Sequence, residues 1–193
     1  MDELQVVLNA LRTQISIARA LKARDSHLTI DLSNVDDGRA NFERNVGPSG
    51  LPSSTVLNTA KKRAQEVVDR LTKGNQEAWT TWTRQSLSNL PLARIAMLLE
   101  PETEEQATSR HAELVRIARS KPSKDAITTF ATVHDGLWEL LHDTEDPPEA
   151  LASLLERLRT QPDLTLRDVT DEEIALIRKH GMDAHISLKR KGS

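Results

Sequence analysis

The residues of this chain best suited to chemistry are three histidines and the carboxylates beside them. His111 stands in the run Arg110-His111-Ala112-Glu113-Leu114. His134-Asp135 and His142-Asp143 repeat one dipeptide along a predicted helix, roughly 80° apart around its axis. Imidazole and carboxylate together suit divalent metals, which activate a bound water for hydrolysis. The plainer reading is structural. His111 and His134 fall on the apolar faces of their predicted helices, where a histidine commonly serves the core through a hydrogen bond.

A helical chain with one His, then His-Asp, then a later Asp is similar to the metal site of the HD-type phosphohydrolases. The resemblance implies ligands from separate helices, His111, His134 and Asp135 with one of Asp163, Asp168 or Asp171, activating water against a phosphate ester. The chain departs from that pattern in two respects. His134-Asp135 is followed by Gly136-Leu137-Trp138 where the family has a glycine-lysine ending, and positions 111 and 134 are closer together than the family's spacing.

Other signatures fail on their own chemistry. Gly47-Pro48-Ser49-Gly50 lacks the Lys-Ser/Thr ending of a phosphate-binding loop. Asp36-Asp37-Gly38 begins like a calcium loop, but Arg44 occupies the position of the bidentate Glu. There is no cysteine, which excludes a disulfide framework, a thiolate zinc site and a cysteine nucleophile. Trp79 and Trp82 share a helix face. Core packing is their expected role and a partner-binding patch the alternative, since a base-stacking platform needs flanking cations and only Arg84 is near.

Composition narrows the partners. The net charge is −3, so no global field draws nucleic acid or an anionic membrane. Residues 1–100 carry 13 basic and 11 acidic side chains, whereas residues 101–193 carry 13 and 18, so the acidic excess lies in the second half. The basic run Lys189-Arg190-Lys191 reads as a solvated end, with a nucleic-acid contact as its alternative. Met1-Asp2-Glu3-Leu4 lacks the cationic and apolar regions of a signal peptide, and no apolar run approaches a membrane span. A cytoplasmic location is expected, with no cofactor, no metal and no membrane partner.

These residues must be positioned by helices. Leu4, Leu8, Leu11, Ile15 and Ala18 keep an unbroken 4-3-4-3 spacing, the seam of an amphipathic, coiled-coil-like helix that runs to Arg24. Leu28-Thr29-Ile30-Asp31-Leu32 alternates as a strand should. Residues 33–54, rich in Gly, Pro, Asn and Ser, read as a long loop. Beyond it, Leu57, Ala60, Ala64, Val67 and Leu71 form a second seam, which Lys73-Gly74 is expected to stop so that Asn75 can cap the next helix. Pro91 opens a short helix, and longer ones follow from about 103 to 120, from Ser123 past Leu141, and from Pro148 to Pro162. Thr170-Asp171-Glu172-Glu173 is a capping box. Leu164 to Leu166 and Ile186 to Leu188 flank the resulting helix as candidate strands.

The expected fold is therefore mainly α: an antiparallel helical bundle with an N-terminal amphipathic helix and a small C-terminal β–α–β element. The expected divisions are residues 1–32, a linker over 33–54, and a helical body over 55–193. The expected function is a non-enzymatic interaction or assembly subunit that docks on itself or on a larger partner through Leu4, Leu8, Leu11, Ile15 and Ala18. A metal-dependent phosphohydrolase of HD type and a regulatory subunit of a nucleic-acid-processing complex are the two alternatives.

Overall fold

The computed structural model describes residues 2–28, 30, 40, 44, 53–98, 100–160 and 168–182. Six α-helices account for most of them: α1 Asp2–Arg24, α2 Ser54–Ser88, α3 Pro101–Ala118, α4 Lys124–His142, α5 Glu149–Thr160 and α6 Asp171–Lys179. A 3-10 turn covers Leu92–Met97. Among the described residues no helix is long and apolar enough to cross a membrane.

Local chemistry sets most helix ends. The Asp25 carboxylate accepts from the His27 amide at 2.8 Å, which turns the chain just past α1. Ser53 and Ser123 accept from the amides of Val56 and Ala126, at 3.3 and 3.0 Å, and so cap α2 and α4. At α6 the capping box is complete: Thr170 Oγ1 accepts from the Glu173 amide and Glu173 Oε2 from the Thr170 amide. Gly181, with φ +69°, ends that helix in the left-handed conformation.

Three expectations are corrected. The helix over Leu57 to Leu71 does not stop at Gly74 but runs 35 residues to Ser88. Asn75 does not cap a new helix, because burial against α1 takes its side chain. No strand occurs among the described residues. Leu28 and Ile30 bury their side chains without pairing their backbones in a ladder. Of the C-terminal β–α–β element, the helix α6 falls among the described residues. Residues 164–166 and 186–188 lie outside the described residues, as do residues 189–191. Within the expected loop at 33–54, Ala40 and Arg44 are helical, Ser53 and Ser54 begin α2, and the rest lies outside the described residues.

The chain forms two compact units, residues 1–88 with 116–131 and residues 89–115 with 132–193. In the first, α1 packs along α2. Glu3 pairs with Lys61 and Gln14 with Asn75, so residue numbers rise together and the two helices run parallel. The expected antiparallel arrangement rests on short connections; residues 25–53 are long enough to carry the chain back to the starting end. An aromatic cluster of Trp79, Trp82 and Phe130, with ring centroids 5.1 to 5.6 Å apart, packs further along α2 from Asn75. Fully buried Trp79 donates through Nε1 to the carbonyls of Ala118 and Ser120, at 3.2 and 3.1 Å, and satisfies the end of α3.

The second unit is centred on Leu151, Leu154, Val169, Ile177 and Met182, with Met97, Leu155 and Ile174 at its margin. Arg94 holds its 3-10 turn to the end of α4. Its guanidinium donates to both carboxylate oxygens of Asp146, at 2.7 and 3.0 Å, and to the carbonyls of Leu141 and His142. Arg157 ties α5 to α6 by donating to Glu173 Oε1 and to the Asp168 carbonyl, each at 2.6 Å.

Candidate protein interface

The first site to test is the metal constellation. His111 is half-buried on α3, His134 is half-buried on α4, and Asp135 is exposed. His134 Nδ1 lies 3.3 Å from Asp135 Oδ1, a contact between sequence neighbours, and His142 and Asp143 repeat it at 2.8 Å. Among the described residues no group of three or more His, Asp or Glu side chains is placed to hold a metal ion. The glycine after His134-Asp135 has a packing reason of its own. Arg110 donates to the Gly136 carbonyl, and a Cβ at 136 would lie 2.9 Å from the guanidinium.

The interface residues expected on α1 fall into two groups. Ala18 is fully buried, whereas Leu4, Leu8, Leu11 and Ile15 are only half-buried. Heptad letters explain the difference. With Leu4, Leu11 and Ala18 at d and Leu8 and Ile15 at a, the g positions are Val7, Gln14 and Leu21, and the e positions are Gln5, Arg12 and Arg19. Val7 and Leu21 are buried, and Gln14 bonds to Asn75 of α2. The g side is therefore the side that faces α2. The expected seam is not the centre of the buried face but its edge, and Gln5, Arg12 and Arg19 on the e side are exposed.

That open side is concave. Arg12, Ile15, Ser16, Arg19 and Ala20 of α1 and Lys124 at the start of α4 line an open groove of about 620 Å³. All of these residues belong to the first unit. Ile15 and Ala20 are half-buried and supply apolar floor, while the three cations are exposed. None of the three has an acidic partner among the described residues. Sequence periodicity located the seam but missed Lys124, because no one-dimensional pattern relates it to Arg12 and Arg19.

The tryptophans divide likewise. Trp79 is a fully buried core residue of the first unit, and half-buried Trp82 packs against it at its margin. Trp138 of the second unit is 43% exposed, a large apolar surface on an otherwise polar flank. Comparison with known protein families, with curated proteins and with solved structures finds no match to this chain.

Proposed function

We propose that this protein is a non-enzymatic helical interaction and assembly subunit of the cytoplasm that docks a protein partner along the open flank of α1. The observation that supports this reading is the division of the α1 seam. Its g side faces α2, while Leu4, Leu8, Leu11 and Ile15 are only partly covered and Ile15 lines a groove. A helix laid there would complete the burial that α2 leaves unfinished. Each residue removed from water contributes on the order of 1 kcal/mol, since half or more of its surface is already covered.

Deleting α1 is a poor test, because fully buried Ala18 and Leu21 hold the first unit together. A photo-crosslinking amino acid at position 11 is better, with position 6 as control. Val6 lies on the same helix, off the seam, and is 66% exposed. In cells expressing the full chain, position 11 should give one discrete crosslinked species that position 6 does not give. Equal labelling from both positions, or none from position 11, would overturn the proposal.

A further inference from the structure

We infer that the occupant of this flank is an acidic amphipathic helix of a partner protein, its carboxylates facing Arg12, Arg19 and Lys124 and its apolar stripe on Leu8, Leu11 and Ile15. The inference rests on the docking reading above and names the chemistry of the partner.

Charges at e and g decide which helices can pair along an a/d seam. Among the described residues the flank of the seam left open is e, and its charged members are both arginines. A second copy of α1 laid antiparallel would bring e against e and set arginine against arginine. Laid parallel, it would need the g residues Val7, Gln14 and Leu21, which already face α2. Self-pairing along this seam is therefore disfavoured in both directions. Lys124 adds a third cation across the groove. Three cations without acidic partners among the described residues repel one another, and carboxylates brought between them relieve that repulsion. The apolar floor argues for a protein helix over a nucleic-acid backbone, which would leave the uncovered parts of Leu8, Leu11 and Ile15 in water.

The experiment titrates the full chain into fluorescein-labelled peptides of about 20 residues with leucine at a and d. One peptide carries Glu at its flanking positions and the other carries Lys, and a labelled DNA duplex of similar length is the third probe. The Glu peptide should bind at least about tenfold more tightly than the Lys peptide at low salt, with the gap shrinking severalfold as salt screens it. Arg12→Glu with Arg19→Glu and Lys124→Glu should reverse the preference. All three side chains are exposed, and circular dichroism checks that the variant folds.

Two failures are distinguishable. If both peptides bind equally, the reversal changes nothing and Leu11→Ser still weakens binding, the acidic partner is wrong and docking on the seam survives. If the Glu peptide binds but Leu8→Ser and Leu11→Ser leave its affinity unchanged, the seam reading is wrong. Tighter binding of the duplex than of the Glu peptide, or no binding of either peptide by the unmodified chain, overturns the inference.

Discussion

The side-chain amide of Asn75 donates to both the main-chain and the side-chain carbonyl of Gln14, each at 2.9 Å. Asn75 is fully buried, and its own Oδ1 has no partner. A buried amide between two helices favours the one register in which its bonds can form. The pair therefore sets how far α1 lies along α2, and with it which side of the α1 seam is left open.

This bonding predicts an unequal response to substitution. Asn75→Ala removes the donor along with the unpaired Oδ1, and should cost about 1–2 kcal/mol. Asn75→Asp has the same shape but points a carboxylate at two carbonyl oxygens inside the protein, which should cost several kcal/mol or force the group to stay protonated. Urea denaturation of the two variants decides between bonding and shape. A loss with Asn75→Ala and none with the isosteric Asn75→Asp would mean that the site values only the volume of the side chain.

Trp79 predicts a similar asymmetry within the aromatic cluster. Its Nε1 serves carbonyls at the end of α3, and half-buried Trp82 makes no such bond among the described residues. Trp79→Phe should cost about 1 kcal/mol beyond the change in packing, because two part-buried carbonyls lose a donor. Trp82→Phe should cost less. Thermal unfolding of both variants is the measurement, and a larger loss at Trp82 would assign the work to packing alone.

Features written in neighbouring residues were legible in the sequence: the capping box at Thr170 and the seam of α1. What escaped depends on residues far apart in the chain. Lys73-Gly74-Asn75 has the composition of a helix end, yet Asn75 meets Gln14 and the helix continues, with tertiary bonding overriding a weak local preference. The covered flank of α1 follows from that same meeting. His111, His134 and Asp135 looked like ligands by type and order, but Gly136 is explained by Arg110, which no spacing rule connects to it.

Acid should weaken the fold through three carboxylates. The hydrogen bond from Lys61 holds Glu3 below its usual range, that from Arg94 does the same for Asp146, and for Glu173 the Thr170 amide leads with Arg157 adding to it. Each group is a stronger acid when folded. Its contribution is therefore present above the unfolded pKa, roughly 4, and is lost as pH falls through the lower folded value. Tm should be flat from about pH 7 to 5 and should fall below about 4. Glu173→Gln should lower Tm at neutral pH and converge on the unmodified chain in acid. A gap that stays constant down to about pH 2 would remove Glu173 from this account.

Gly74 and Gly181 should respond in opposite directions to the same added methyl group. Gly74 lies inside α2 without a positive φ, and a Cβ there would meet nothing within 4 Å. Gly74→Ala should therefore stabilise the protein by about 0.5–1 kcal/mol, chiefly by restricting the unfolded chain. Gly181 also has open space around it, but its φ of +69° penalises any L side chain. Gly181→Ala should cost about 1–2 kcal/mol for that reason alone. Because neither methyl group meets a neighbour, backbone conformation is the only variable between the two sites. A destabilising Gly74→Ala would mean that the chain breaks at Gly74 after all. That would detach Asn75 from the register of α2 and, with it, the open flank of α1 on which docking depends.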